Sequence, residues 1–297
     1  MIIIIGASGF IGSHIYEQCI RSGRRTLGTC FHARVGMIQF DMREQSLPDL
    51  LDKANITNPT SVEALIVCSA DASIDHCFLN KDYSYALNVT GTKRLLYEAS
   101  QLGIKTVFFS SEAVFDGKKG FYRETDMVCP ITLYGHQKVE IEQYIEENVE
   151  KCLMLRVSRA VGNSFNEKDI FHEFWRNIDA GKEIKCLRGQ TFSLTWVGDI
   201  AKATMLSLDK GIVGVYHVSN SSMITRYELA CQYVKAICGN YEKIGEYTYK
   251  EMSFADQRHV LSGLDGTKLA NELGMEFKSV AEILEDYRQT FLANRES

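Results

Sequence analysis

The 297-residue sequence has no stretch that approaches the roughly 20 apolar residues needed to span a bilayer. It also has no excess of basic residues, because 33 Lys and Arg stand against 38 Asp and Glu, a net charge of −5. This balance argues against a basic surface of the kind that grips nucleic acid. We therefore expect neither a membrane nor a nucleic acid as a partner.

Cysteine spacing excludes two further classes of site. None of the nine cysteines forms Cys-x-x-Cys, and no Cys/His run has zinc-finger spacing, so we predict no metal site. Their odd number and apolar surroundings are typical of reduced thiols in a cytosolic protein. The apolar residues 1–5 lack a cationic leader and are too few for a signal peptide. We expect a cytoplasmic protein.

Internal repeats and low-complexity tracts are also missing, and what remains is a regular alternation of short β-branched runs with helical patterns. This alternation is typical of a parallel α/β sheet. Strands are predicted at 2–5, 26–31, 37–40, 64–68, 106–110 and 152–157, with short ones near 185 and 193. Helices are predicted at 11–22, 83–101, 133–148, 170–178, 199–207, 225–237 and 280–292.

A glycine loop of the form Gly-x-x-Gly-x-x-Gly joins the first predicted strand to the first helix. In this setting the glycines permit a tight turn, close approach of the backbone to a pyrophosphate and close helix–strand packing. The helix N-terminus adds free N–H groups and a positive dipole. We predict that this loop holds a nicotinamide dinucleotide; a turn without a ligand is the alternative. The predicted contacts are Gly6, Ser8, Gly9, Phe10, Ile11 and Gly12.

These patterns predict an α/β fold of the Rossmann type, with a doubly wound parallel sheet and a smaller C-terminal α/β substrate lobe. Residues 1–160 are assigned to the dinucleotide-binding domain, to which 190–220 returns. Residues 161–189 and 221–297 are assigned to the substrate-binding lobe. The smaller lobe is thus built from several segments of the second half of the chain and is not a separate, continuous domain.

The choice of dinucleotide depends on residues after the second strand. NAD-selective sites usually place a carboxylate there to bind the ribose 2′-hydroxyl, but none appears before Asp41. Arg34, together with His32, is suited to bind a 2′-phosphate through charge-assisted hydrogen bonds. A solvated loop arginine is the alternative. We expect NADP(H), with NAD(H) as the second choice.

Three residues form a candidate catalytic group. Tyr134 and Lys138 are four residues apart, hence on one face of a predicted helix. A phenol ordinarily ionises near about pH 10, and a neighbouring ammonium lowers that pKa. Ser111 follows a strand at the carboxyl edge of the sheet, where ligands of open α/β folds bind. Its hydroxyl is suited to bind a substrate carbonyl; a strand-end capping serine is the alternative.

Together these motifs resemble the extended short-chain dehydrogenase/reductase superfamily. Finer features resemble its dTDP-4-dehydrorhamnose reductase branch, and the likeness spans nearly the whole chain. The residues that carry it are 86–92 (ALNVTGT), 110–117 (SSEAVFDG), 122–126 (YRETD), 130–138 (PITLYGHQK), 214–219 (GVYHVS) and 258–265 (RHVLSGLD).

The resemblance implies NAD(P)H-dependent reduction of a 4-keto sugar nucleotide. Ser111 and Tyr134 would contact the carbonyl oxygen, with Tyr134 as general acid, while Lys138 would tune Tyr134 and bind the nicotinamide ribose. It further implies that Asp41 and Met42 contact the adenine edge. The residues expected to flank the cofactor are Cys68, Ser69 and Ala70.

The sequence departs from the branch on the substrate side. Glu112 stands where the branch has Asp, and Arg159 stands where Trp is usual, which predicts an altered substrate pocket. Arg258 is expected to reach the substrate diphosphate, with a surface salt bridge as the alternative. Glu112, Arg159 and Arg258 are the predicted substrate-binding residues.

Two other functions share these motifs. A sugar-nucleotide epimerase of the same superfamily would keep the three catalytic residues. A non-catalytic NADP-binding regulatory subunit is the second, since the branch includes the β subunit of methionine adenosyltransferase. The intact Ser111, Tyr134 and Lys138 favour an enzyme. The oligomeric state is left open, with a homodimer as one candidate.

The remaining conspicuous residues have structural interpretations. Phe171, Phe174 and Trp175 are expected to form a packed helix face. Asp199 is expected to cap a helix and His136 to face solvent. A solvated helix surface is predicted for Glu142, Glu146 and Glu147.

Overall fold

The fold is that of a computed structural model, which describes residues 1–162 and 167–296. The strands, numbered along the chain, are β1 (Ile2–Ile5), β2 (Thr26–Cys30), β3 (Ile38–Gln39), β4 (Ala64–Val67), β5 (Lys105–Ser111), β6 (Cys152–Val157), β7 (Arg159–Val161), β8 (Ile184–Leu187), β9 (Thr191–Phe192), β10 (Leu194–Trp196), β11 (Gly214–Val218), β12 (Ile224–Thr225) and β13 (Ile244–Tyr247). The helices are α1 (Phe10–Arg21), α2 (Leu47–Lys53), α3 (Ile74–Leu79), α4 (Lys81–Tyr85), α5 (Thr92–Gln101), α6 (Leu133–Asn148), α7 (Ile170–Asp179), α8 (Val197–Asp209), α9 (Arg226–Ile237), α10 (Thr267–Leu273) and α11 (Val280–Glu296).

Seven parallel strands form the central sheet, in the order β11-β6-β5-β4-β1-β2-β3. The chain starts in the middle at β1 and winds outward in both directions, so the strand order reverses between β1 and β4. Successive side chains of a strand point to opposite faces. Ile2 and Ile4 accordingly pack on one side with α1 and α8, and Ile3 and Ile5 on the other with α2 and α5. Burial on both faces explains why these strands are apolar throughout.

A third apolar core lies in the second half of the chain. It is built from α7, α9 and α11 around Phe171, Tyr233 and Tyr287. Three two-stranded sheets accompany it, pairing β7 with β10, β8 with β13 and β9 with β12. In contrast, α8 packs on α1 and β11 joins the main sheet beside β6. The doubly wound fold is therefore confirmed, and the domain boundaries given above stay a prediction.

The long helix predicted at 83–101 is interrupted in the structure. A π-helical segment, Ala86–Gly91, joins α4 to α5. Gly91 lies against the carbonyl oxygen of Met42, which a Cβ would approach to 2.3 Å. Asn88 binds Asp71 at 2.8 Å and the Gln137 side chain of α6, also at 2.8 Å. The segment therefore holds the loop after β4 against the helix that carries the candidate catalytic residues.

Two structural expectations were wrong. Asp199 does not cap α8, because the helix begins two residues earlier at Val197; its carboxylate instead accepts the backbone N–H of Lys278 at 2.7 Å. Glu142 is buried, as described below, although His136, Glu146 and Glu147 are exposed as predicted. Among the described residues, no helix has both the length and the apolarity needed to cross a membrane.

Candidate active site

The glycine loop has the geometry that a bound phosphate requires. Gly6 has a φ of +80°, which favours glycine, and its carbonyl accepts the N–H of Gly9 at 2.9 Å. A Cβ on Gly12 would lie 2.2 Å from the Gly6 oxygen, so only glycine allows α1 to start this close to β1. In the part of the chain that the structure describes, no side chain caps α1, whose N-cap is Gly9. Its first N–H groups are therefore available to an anion.

A cavity of about 600 Å³ runs from this loop along the carboxyl edge of the sheet. It brings together most of the predicted site residues, from both halves of the chain. Those on its wall are Gly6, Ser8, Gly9, Phe10, Ile11, Cys68, Ser69, Ala70, Ser111, Glu112, Tyr134, Lys138, Arg159 and Arg258. A second cavity of about 160 Å³ shares Gly6 and Ser69 with the first and contains Asp41 and Met42.

The second cavity holds a cation that the sequence prediction missed. The Arg43 side chain lies 5.4 Å from the ring centre of Phe31 and 4.7 Å from that of Tyr83. It binds the Asp41 carboxylate, with Nε 2.9 Å from Oδ1, and lowers the pKa of Asp41. In the described part of the chain, His32 and Arg34 are exposed and line neither cavity. The position of Arg43 directly after residues 41 and 42 was the available signal.

Tyr134 and Ser111 meet on the wall of the larger cavity. Tyr134 lies in the first turn of α6, which Thr132 caps by accepting the N–H of Gly135 at 3.0 Å. Its side chain and that of Ser111, at the end of β5, both line this cavity. Burial raises the pKa of the Tyr134 phenol above its ordinary value, and the neighbouring Ser111 hydroxyl opposes this shift. Tyr134 is thus a protonated phenol at neutral pH, the form that a general acid needs.

Lys138 lies one turn further along the same face of α6, as predicted. Its ammonium donates to the Phe109 carbonyl at 2.8 Å and lies 5.7 Å from the ring centre of Tyr134. Burial lowers the pKa of Lys138 to about 8, against the opposing effect of Glu142. The pKa of Tyr134 is raised and not lowered as expected, because burial of the phenol outweighs the effect of Ser111.

One turn beyond Lys138, Glu142 is buried, whereas a solvated position was predicted. Its carboxylate accepts Nε of Arg156 at 2.9 Å and a second guanidinium nitrogen at 2.6 Å. Ser110, the neighbour of Ser111, donates to it at 2.5 Å. Both charged side chains are 5% exposed. The pair ties α6 to β5 and β6 beneath the catalytic residues, and the spacing of 134, 138 and 142 on one helix face was the signal that could have revealed it.

Glu112 faces the cavity from the residue after Ser111. Its Oε2 lies 2.5 Å from Oγ of Ser158, and that hydroxyl also lies 2.8 Å from the Ser193 carbonyl. A hydroxyl has one proton, and a carbonyl only accepts. When Ser158 donates to Ser193, Glu112 must itself be protonated to keep its bond. Consistently, burial raises the pKa of Glu112 to about 6, opposed by Arg159.

The two predicted substrate arginines differ in their partners. Arg258 binds the Asp75 carboxylate at 2.6 Å, so the predicted salt bridge is present, and it also lines the cavity. Arg159 packs 5.2 Å from the ring centre of Phe192. Its Nε is buried without a hydrogen-bond partner, and no carboxylate among the described residues lies within 4.0 Å of it. Arg159 is therefore a cation open to the cavity.

The residues present fit an extended dinucleotide. The uncapped helix start and the Gly6 backbone form a phosphate cradle, and the two cavities meet there, one lined by Arg43 and the other by Tyr134. No group of three or more His, Cys, Asp or Glu side chains placed for a metal ion occurs within residues 1–162 and 167–296.

Comparison with known proteins gives one family and several relatives. The family model described as the RmlD substrate binding domain matches residues 1–292. A probable low-salt glycan biosynthesis reductase, Agl14 of Haloferax volcanii, is 25% identical, covering 91% of both chains. Methionine adenosyltransferase 2 subunit beta of Mus musculus is 27% identical over 77% of this chain and 70% of the relative. The dTDP-4-dehydrorhamnose reductase of Mycobacterium tuberculosis is also 27% identical, over 76% and 72%.

Solved structures share the fold. A dTDP-4-dehydrorhamnose reductase from Clostridium acetobutylicum superposes with a TM-score of 0.85 at 22% identity, covering 98% of this chain and 99% of that one. The Bacillus anthracis reductase in complex with NADP gives 0.83 at 21%, covering 98% of each. MoeE5 in complex with UDP-glucose and NAD gives 0.83 at 19%, covering 100% and 99%. The chain belongs to the RmlD substrate binding domain family, of the extended short-chain dehydrogenase/reductase type, as its motifs predicted.

Proposed function

We propose that the protein reduces the keto group of a 4-keto sugar nucleotide with NAD(P)H. The observation that carries this proposal is that two hydroxyl side chains, Ser111 and Tyr134, line the same cavity, which begins at the glycine loop. Membership of a family that includes sugar-nucleotide reductases supports the same substrate class.

In the proposed reaction, Ser111 and Tyr134 bind the carbonyl oxygen and polarise it. A nicotinamide held beside Lys138 would supply the hydride for the carbonyl carbon. Tyr134 donates its phenolic proton to the oxygen, so the ketone becomes a secondary alcohol, and solvent later returns the proton. Lys138, charged below its pKa of about 8, stabilises negative charge on Tyr134 during this transfer.

NADP(H) is the proposed cofactor, with NAD(H) as the alternative. Gly6 to Gly12 would hold the pyrophosphate, and Lys138 the nicotinamide ribose. At the adenine end the positive groups are Arg43, which lines the second cavity, and Arg34 and His32, which lie on the exposed loop after β2. Solved neighbours of this fold contain NADP in one case and NAD in another.

Replacement of Tyr134 by Phe tests the proposal. We expect NADPH oxidation with a 4-keto sugar nucleotide to fall by about 10²–10⁴-fold, because the proton donor is lost, while NADPH affinity stays within about twofold. The readout is NADPH absorbance in a screen of dTDP-, UDP-, GDP- and CDP-linked 4-keto sugars. Tyr144→Phe, on the same helix but outside the cavity, is the matched control. Retained activity of Tyr134→Phe would exclude the proposed acid.

The same screen separates two other functions. An epimerase would interconvert sugar nucleotides without net NADPH consumption, using the same hydroxyl pair. A regulatory subunit would bind NADPH and oxidise none of it. The similarity to methionine adenosyltransferase 2 subunit beta supports the regulatory subunit as the second candidate function.

A further inference from the structure

The substrate end of the larger cavity contains an arginine, Arg159, that forms no ion pair with any described carboxylate. The two carboxylates whose charges act on Arg159 have other partners, since Glu173 binds Arg226 at 2.5 Å and Glu112 lies against Ser158. A buried nitrogen without a hydrogen-bond partner among the described residues, here Nε of Arg159, is costly to the fold. This cost points to a ligand that supplies the missing partner.

The position of Arg159 indicates which part of the substrate it meets. Val157, two residues before Arg159, pairs with Ser111 where β5 and β6 end side by side, and Ser111 and Arg159 both line the cavity. Arg159 therefore lies on the side of the cavity where the reacting sugar ring is held. The Phe192 ring, 5.2 Å away, packs against the guanidinium and restricts its orientation.

The chemistry of guanidinium indicates the class of group. Its planar fork matches a carboxylate with two parallel hydrogen bonds, and the pairing neutralises its charge. A sugar hydroxyl offers hydrogen bonds but no charge. We propose that Arg159 binds a carboxylate carried by the sugar, so that the substrate is a uronate-type sugar nucleotide. This inference rests on the proposed function, in that the cavity must accept a sugar nucleotide.

Binding measurements on the full chain in the presence of NADP⁺ test the inference without requiring turnover. The probes are UDP-glucuronic acid against UDP-glucose, and the corresponding dTDP-linked pair, followed by calorimetry. We expect the uronate to bind at least about tenfold more tightly within a pair, as one charge-assisted contact provides. UDP and dTDP alone report the contribution of the base and diphosphate.

Variants at Arg159 test whether this residue causes the preference for the uronate. Arg159→Met is expected to reduce the ratio of the two affinities to about one while UDP-glucose binding stays within about twofold, and Arg159→Lys to retain part of the ratio. Arg258→Met is the matched control, expected to keep the ratio, because Arg258 is already paired.

Three results would overturn the inference: equal affinities in the unmodified protein, equal weakening of UDP and UDP-glucuronic acid by Arg159→Met, or no binding of any probe. The second would assign Arg159 to the diphosphate. A uronate preference without NADPH oxidation would support the role of Arg159 and contradict the proposed reductase activity. Oxidation of NADPH by neutral 4-keto sugars with no uronate preference would support the reductase activity and contradict the role of Arg159.

Discussion

Arg156 and Arg159 lie three residues apart where the chain leaves the main sheet, and their surroundings are opposite. The Arg156 guanidinium forms a buried ion pair with Glu142, whose carboxylate also accepts a hydrogen bond from the Ser110 hydroxyl. Arg159 lines the cavity, and its buried Nε has no hydrogen-bond partner among the described residues. The first arginine stabilises the position of α6, and the second is available to a ligand. Removing each charge should therefore affect different properties.

The largest effect is expected from Glu142→Gln. This change leaves the Arg156 cation buried without its counter-ion, which should lower the free energy of unfolding by about 3–5 kcal/mol. Urea denaturation gives this value, and Glu146→Gln on the exposed face of the same helix should change it by less than about 0.5 kcal/mol. A Glu142→Gln protein as stable as the Glu146→Gln protein would show that the pair contributes nothing to the fold.

A smaller effect, dependent on pH, is expected from Glu112→Gln. The pKa of Glu112 is raised from 4.5 to about 6, so the folded state binds a proton more tightly than the unfolded chain does. The charged carboxylate then destabilises the fold above pH 6, and this cost vanishes below pH 4.5. Glu112→Gln should stabilise the protein by about 1–2 kcal/mol more at pH 8 than at pH 4.5. Urea titrations at both pH values measure the difference, and a difference that does not vary with pH would contradict it.

The smallest change in stability is expected from Arg159→Met. Because Arg159 forms no ion pair with a described carboxylate, its loss should alter the free energy of unfolding by less than about 1 kcal/mol, in either direction. Thermal or urea unfolding provides the measurement. A loss as large as that of Glu142→Gln would mean that Arg159 is a structural residue like Arg156, and the contrast between the two would fail.

Much of the fold was predictable because its signals are local. β1 follows from a run of isoleucines, α6 was predicted with its observed ends at 133 and 148, and Gly6 occupies the turn that its spacing indicated. The cofactor loop and the pair formed by Tyr134 and Lys138 were likewise accessible, since their partners are close in sequence or follow from strand order.

What could not be predicted depends on contacts between distant segments. Glu142 has the composition of a helix-surface residue, and only the approach of β6 makes it a partner of Arg156. Arg43 becomes part of a cavity because Tyr83 and Phe31 enclose it from other segments. The raised pKa of Tyr134 also arises from burial, which no spacing of residues expresses.

The sequence by itself determined the Rossmann fold, the family and the positions of the glycine loop, Ser111, Tyr134 and Lys138, since each depends on a short pattern with a physical cause. The tertiary structure alone decided which charges are satisfied. In the folded protein Arg156 forms an ion pair with Glu142, whereas Arg159 faces the cavity. The reason is that neutralising a buried charge requires a partner brought from elsewhere in the chain, and α6 brings Glu142 to Arg156 in β6 but no carboxylate to Arg159 in β7.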